Sequence, residues 1–280
     1  MVTPRISSSS KLGVAPLCAV HAPVEEYVGA AARAGFDFVG VRLSPVTAED
    51  VVYRPKSREF RHLLSVVRES GLDVLDVEVF GMMPGASRDD WMPVLEMAAE
   101  LGASLFNVVG KDPDQAAFAD AVGRLTEDAR PFSILPVIEP IAYLPMDSYE
   151  RAIGIALDVG CGVELDGLHV LRTGADMALI EQHPELFPVL QLCDAPAQVR
   201  RWGAERPAAA RPGDDELVIE SRLDRLLPGR GAAPLDAMLA AIVPGTPVSV
   251  EIPNLQLQAL HTTDEYMALL HAEALAFLSR

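Results

Sequence analysis

Apolar residues along the chain switch repeatedly between two periods. Short runs rich in β-branched residues alternate with stretches whose apolar positions recur every three to four residues. LGVAPLCAV (12–20) predicts a first strand, and VEEYVGAAARAG (24–35) a helix stopped by Gly35. FVGVRL (38–43) is the second predicted strand, followed by a helix over 57–70 that stops at Gly71. DVLDVEVF (73–80) is the third, with RDDWMPVLEMAAELG ending at Gly102. SLFNVVG (104–110) is the fourth, with a helix over about 114–130. FSILPVIEP (132–140) is the fifth, with a helix over 146–159 and Gly160 behind it. GVELDGLH (162–169), PVLQLCDA (188–195) and PVSVEIP (247–253) complete the set, and TDEYMALLHAEALAFLSR closes the chain as a helix.

Eight strand–helix units in this length predict an α/β fold, a (β/α)8 TIM barrel of eight parallel strands joined by right-handed crossovers. A doubly wound sheet is the competing fold. It usually carries a glycine-rich phosphate loop after an early strand, and no GxGxxG motif is present. The composition shows no break, so one domain over 1–280 is expected, with a flexible tail at 1–11. The stretch 196–232, rich in Pro, Gly, Arg and Asp, reads as a long loop after strand seven. Long connections in compact domains are often functional lids. Its Arg200, Arg201, Arg206 and Arg211 could meet an anionic substrate or pair with Asp214, Asp215 and Glu216.

Four of the apolar runs end on a polar residue: Glu139, Asp166, Gln191 and Glu251. Parity along a strand puts each on the barrel-inward face, with Val137, Glu164, Cys193 and Ser249 as same-face neighbours. Burying three carboxylates together is costly unless cations or protons compensate. Two solutions stand open. Arginines such as Arg42 and Arg172 could pair with them, or a divalent metal could bind. The set is oxygen-rich, which suits Mg, Mn or Ca.

Composition narrows the partners. Half the residues are hydrophobic and 22% are charged, enough for a large core. A net charge of −17 argues against nucleic acid and anionic membranes as partners. Cys18, Cys161 and Cys193 read as buried thiols in a reducing compartment. The N-terminal stretch lacks the apolar core of a signal peptide, and no apolar run reaches about 20 residues, so the expected location is cytoplasmic.

The pieces AAARAGFDFVGVRL, IEP, LDGLHVLRTG, LQLCDAP, RLLPGRG and SVEIPN resemble the sugar phosphate isomerase/epimerase group of xylose-isomerase-like barrels. The likeness covers nearly the whole chain. It implies one Mn, Mg or Co ion held by Glu139, Asp166, Gln191 and Glu251. Gln191 stands where many members have His, a change that should weaken zinc binding. The same Gln, followed later by PGRG, also resembles bacterial 3-dehydroshikimate dehydratases. Arg230 departs from the carboxylate or amide often found in that segment.

The implied chemistry is isomerisation or epimerisation of a small keto-sugar or polyol-derived ketone through an enediolate. Glu139 and Glu251 would carry protons on opposite faces of the substrate. The alternative is a metal-dependent dehydratase, a lyase, in which His169 helps a hydroxyl to leave. His169 could equally orient Asp166 or a substrate hydroxyl. Arg172, Glu78, Asn107, Arg42 and Arg230 are the expected substrate-binding residues. Arg172 could instead pair with Asp176 or Glu181, and Glu78 with Arg42. Asp194 sits off the inward parity and should brace its loop. A DNA-repair endonuclease on this barrel would need many His ligands and a basic groove, and the chain has six His and a strong negative charge. A barrel without chemistry, binding only a ligand or partner, is the remaining reading, and a homo-oligomer is possible. Pairing of Glu139 with an Arg would support that last reading.

Overall fold

The computed structural model describes residues 10–45 and 51–280. The expected tail at 1–11 lies outside them except for its last two residues, of which Lys11 pairs with Asp73 at the surface, at 2.5 Å. The chain alternates strand and helix from β1 (Leu12–Val14), α1 (Val24–Ala34) and β2 (Phe38–Arg42) through α2 (Arg58–Ser70) and β3 (Asp73–Met82). It continues through α3 (Arg88–Leu101), β4 (Leu105–Gly110), α4 (Gln115–Ala129), β5 (Leu135–Glu139) and α5 (Tyr149–Val159). The second half holds β6 (Gly162–Val163), β7 (Leu165–Asp166), α6 (Gly167–Thr173), α7 (Met177–Glu181), β8 (Leu190–Leu192) and α8 (Glu216–Leu223). It ends with α9 (Leu235–Ala241), β9 (Val248–Val250), α10 (Leu255–Leu260) and α11 (Thr263–Leu278). The glycines read as helix stops do end α1, α2, α3 and α5, each at positive φ between 74° and 96°.

Every strand pairing is parallel, in the order β6-β5-β4-β3-β2-β1-β9-β8-β7. The result is a nearly closed barrel with nine strands rather than eight. The extra strand comes from a break in the sixth run at Glu164. Gly162 and Val163 pair with β5, while Leu165 and Asp166 pair with β8. Glu164 N still donates to Ile138 O at 2.9 Å, and Leu165 N turns to Val189 O at 3.4 Å. One continuous run thus hands its ladder from one neighbour to the next.

That run also ends earlier than expected. Asp166 accepts from His169 N at 2.8 Å, an N-cap that starts α6 at once, so His169 lies on a helix rather than a strand. A side chain at Gly167 would come within 2.4 Å of Cys193 O, so only glycine allows this close turn.

Outward strand residues such as Val41, Phe106, Ile138 and Leu192 pack with helix residues such as Phe60, Trp91 and Phe118 in one main core. Each such side chain contributes about 1.5–3 kcal/mol by leaving water. Inside the barrel the material changes over two residues. Leu105, Val137 and Val189 form a small apolar cluster of their own. Two positions further along the same strands stand Asn107, Glu139 and Gln191, all buried. The barrel floor is therefore apolar and its C-terminal mouth polar.

The segment 196–232 is not the bare loop expected from composition. It contains α8, capped by Asp215, which buries Ile219, Glu220 and Ser221. Backbone bridges Asp194–Leu226 and Asp224–Asn254 tie it across the ends of β8 and β9. Its arginines mostly serve the segment itself: Arg200 stacks 3.9 Å over Trp202 and pairs with Glu205, and Arg206 donates to Arg211 O and Asp214 O.

Candidate metal centre

Glu139, Asp166 and Glu251 converge. One carboxylate oxygen from each lies within 4.8 Å of the others, and all three residues are buried. They leave the ends of β5, β7 and β9, and Gln191 on β8 sits in register with Asp166 on one side and Ser249 on the other. Gln191 Oε1 is buried without a hydrogen-bond partner among the described residues. A buried acceptor of this kind is costly unless something fills its place.

The cation among these carboxylates is Arg225, which the expectations did not single out although RLLPGRG begins with it. Its Nη1 donates to Asp166 Oδ2 at 2.6 Å and stands in an ion pair with Glu251 Oε2 at 2.7 Å. Burial pushes Glu139 up to about 8, helped by the negative charges of Glu251 and Asp166. Burial likewise raises Glu251 to about 7, although Arg225 pulls the other way. Burial opposes ionisation of Asp166 too, but the charge of Arg225 and the hydrogen bonds at its oxygens hold its carboxyl below the usual range. One guanidinium thus satisfies one carboxylate fully, shares itself with a second and misses the third.

The same geometry settles the pairing alternatives. Neither Arg42 nor Arg172 bonds to the three carboxylates, and Glu139 pairs with no arginine among the described residues. Arg172 is turned away, gripping Glu220 at 2.7 and 2.6 Å and donating to Pro196 O at 2.6 Å. Its partner is neither Asp176 nor Glu181. Arg230 is exposed and lies 3.8 Å from Glu273 on α11, away from the mouth. These two residues were expected to bind substrate, and both are committed elsewhere because each has a carboxylate on a neighbouring helix. Arg42 Nε is buried without a partner among the described residues, and no ion pair joins it to Glu78.

Other expected residues do gather at the mouth. Asn107 Nδ2 donates to Glu139 Oε2 at 3.0 Å and also to Glu164 Oε2, tying two carboxylates together. His169 is fully buried. Burial lowers it to about 4, so it is neutral. Ala142 N donates to its Nδ1 at 3.4 Å, which leaves the proton on Nε2. That Nε2 has no hydrogen-bond partner among the described residues and lies 3.7 Å from Glu139 Oε1. Cys193 Sγ lies 3.7 Å from Asp166 Oδ2, and burial holds the thiol protonated. Asp194 braces its loop by accepting from Gly231 N and Ala233 N at 2.8 and 2.9 Å.

Glu78 belongs to a second acidic group with Asp76, two residues earlier on β3. Burial raises both carboxyls, and each also feels the other. The oxygens Asp76 Oδ1 and Glu78 Oε1, both unpartnered among the described residues, lie where a side chain at Gly40 would meet them at 3.0 and 2.9 Å. The alternation in DVLDVEVF puts Asp76 on the face of Glu78, so this pair was readable in the sequence.

The donor set fits a hard divalent ion. It offers three carboxylates, an orphaned amide oxygen and, when all three acids are ionised, two negative charges in excess of Arg225.

Structural likeness agrees with the barrel. An IOLI protein described with a binding zinc atom superposes at TM-score 0.76 with 17% identity, covering 96% of this chain and 98% of that one. A D-allulose 3-epimerase from Methylomonas sp. in complex with D-allulose gives TM-score 0.63 and 13% identity, covering 98% and 99%. A fusion of a xylose isomerase-like TIM barrel with a 4-hydroxyphenylpyruvate dioxygenase gives TM-score 0.75 and 22% identity. This chain is covered to 96% there and spans 43% of the fusion protein. At these identities the likeness shows the fold. No curated protein matches in sequence. The model of the xylose isomerase-like TIM barrel family matches residues 28–276. The chain belongs to the xylose isomerase-like TIM barrel family.

Proposed function

We propose that the chain, acting as one barrel domain, is a divalent-metal-dependent isomerase or epimerase of a small keto-sugar or polyol-derived ketone. The observation that carries this reading is the convergence of Glu139, Asp166 and Glu251 at the C-terminal mouth, with the orphaned Gln191 oxygen beside them. These four residues would hold one ion, with Mn, Mg or Co suited to an all-oxygen set better than zinc. Such an ion supplies Lewis-acid polarisation of a ketone oxygen.

The protein's own groups supply the proton traffic. Glu139 and Glu251 stand on strands separated by β6, β7 and β8 around the barrel, so they address a bound substrate from different sides. Removing a proton from the carbon next to the carbonyl on one face and returning it on the other inverts that centre. Burial places both carboxyls near neutrality, at about 8 and about 7, the range in which a group can both take and give a proton. Asn107 fixes the Glu139 carboxylate by its hydrogen bond. An epimerase in complex with a ketose among the structural neighbours supports the substrate class.

His169 favours a second reading, a dehydratase of the 3-dehydroshikimate type. Its neutral ring directs an unpartnered Nε2–H toward Glu139, a donor available to a leaving hydroxyl. A small-molecule substrate is proposed rather than nucleic acid, given the net charge of −17. No helix among the described residues is long and apolar enough to cross a membrane. The three unpaired buried thiols suit the cytoplasm.

The test is a metal-supplemented screen of keto-sugars and 3-dehydroshikimate in deuterium oxide, with elemental analysis of the wild type and Glu251→Gln. Epimerisation incorporates solvent deuterium at the inverted carbon, and dehydration instead yields an unsaturated product. About one divalent ion per wild-type chain, lost in Glu251→Gln, is expected. No bound metal in either protein, even after Mn addition, overturns the reading.

A further inference from the structure

We infer that Arg225 is a built-in counter-charge that sets the charge and the affinity of the cation the site accepts. The inference rests on the metal-centre reading above. It starts from how firmly the residue is placed. Arg225 N donates to Pro253 O at 3.1 Å, and Asn254 Nδ2 donates to Arg225 O at 2.9 Å. The guanidinium is held from behind as well, with Nε on Ser221 O at 2.8 Å and Nη2 on Ser221 Oγ at 3.4 Å. Both ends of the side chain are therefore fixed before any ligand arrives. Only Nη1 is left to face the mouth, where it donates to Asp166 Oδ2 and lies 2.7 Å from Glu251 Oε2 as an ion pair.

The arrangement has a direct electrostatic meaning. Arg225 is among the largest fully buried side chains, so its charge is poorly screened by water. It is also always protonated. Three ionised carboxylates against one fixed guanidinium leave a site of charge minus two, matched to one divalent ion. Without the guanidinium the site would carry minus three and would favour a trivalent ion. Because Nη1 already occupies Asp166 Oδ2 and Glu251 Oε2, an incoming cation meets two ligands of reduced basicity, while Glu139 and the Gln191 oxygen are free to engage it. Arg225 thereby trades affinity for a defined charge and a defined arrangement of the carboxylates. It acts as a positioning residue.

Binding of Mn2+ and Tb3+ to the full chain tests this, measured by calorimetry and by lanthanide luminescence on the wild type, Arg225→Met and Arg225→Lys. Arg225→Met should bind Mn2+ at least about tenfold more tightly than the wild type, and its preference for Tb3+ over Mn2+ should rise by at least about tenfold more. Arg225→Lys, which keeps the charge, should stay near the wild type in both. Equal or weaker Mn2+ binding by Arg225→Met overturns the inference while leaving the metal centre standing. Absence of Mn2+ binding by the wild type removes the metal centre itself, so the two failures are distinct. Should Arg225→Met fail to fold, the wild type answers, with Arg225→Lys used only to assign its resonances. Saturation with Mg2+ should shift the guanidinium nitrogen resonances of the one arginine whose signals vanish in Arg225→Lys, and unchanged resonances at saturation overturn the inference.

Discussion

Two arcs of the barrel mouth carry the same chemical material and treat it differently. The arc from β5 to β9 presents Glu139, Asp166 and Glu251 with a buried arginine among them. The arc at β3 presents Asp76 and Glu78, equally buried, and no cation among the described residues bonds to either. In the first arc ionisation is graded by the charge of Arg225 and the hydrogen bonds each acid accepts: Asp166 is held charged, while Glu251 and Glu139 titrate at about 7 and about 8. In the second, burial keeps both acids toward their protonated forms. A cluster of acids thus suits a divalent ion where one fixed positive charge and a neutral oxygen donor organise it. Where acids face only each other they hold protons.

The largest effect that tests this contrast is on the chemistry. Glu139→Gln should lower turnover of the substrate found by the screen by about 10^2–10^4, the range for losing a positioned proton carrier. Glu78→Gln should leave the bound metal at wild-type stoichiometry. If Glu78→Gln strips the ion, the two arcs form one centre and the contrast fails.

Next in size is the dependence of folding on pH. Glu139 and Glu251 have folded values raised from 4.5 to about 8 and about 7. A carboxyl raised on folding binds more protons in the native state. Its folded form therefore loses stability as pH climbs from the unfolded value through the folded one. His169, lowered from 6.5 to about 4, acts in the opposite sense and only below about pH 6.5. Metal-free protein should consequently lose about 2–5 kcal/mol between pH 6.5 and 8.5, because a tenfold change in a group's proton affinity is worth about 1.4 kcal/mol. Urea midpoints in chelator should show this fall. Saturating Mn2+ should flatten it, adding about 2.7 kcal/mol at a hundred times its dissociation constant. A midpoint independent of pH in chelator would falsify the view that these acids are uncompensated.

The sequence made much of the first arc legible and almost nothing of its arginine. Strand parity alone put Glu139, Asp166, Gln191 and Glu251 on inward faces, because side chains on a strand alternate whatever the rest of the chain does. The barrel follows from the regular strand–helix alternation for the same local reason. The split of the sixth run at Glu164 did not show, since it depends on which neighbour each residue pairs with. Arg225 lies 59 residues from Asp166 in a stretch whose composition reads as loop. Only the bridges Asp194–Leu226 and Asp224–Asn254 deliver it to the mouth, and antiparallel bridges between distant segments leave no periodic trace. Arg172 went astray by the reverse route. Its position three residues after His169 placed it near the site, but Glu220, 48 residues on, captured it. Long side chains are assigned by partners that folding brings near, and those partners are nonlocal.

The smallest expected effect is also the one that most sharpens the contrast. Burial and the neighbouring Asp76 raise Glu78 well above its usual range, so above that range folding favours a proton on it that the unfolded chain has given up, at a cost. Glu78→Gln removes that cost while keeping the shape and a hydrogen-bonding amide beside Asp76. The variant should therefore be more stable than the wild type at pH 8 by about 1 kcal/mol, or roughly 2–4 °C in Tm. The gain should vanish near pH 4.5, where the unfolded glutamate takes up its own proton. Destabilisation at pH 8 would mean the opposite arrangement: Glu78 ionised and held by a cation, with the β3 arc compensated like its counterpart. Arg42, in register with Glu78 on the neighbouring strand, would be that cation. The sign of a single thermal shift, measured at two pH values, therefore decides whether the mouth has one charged arc or two.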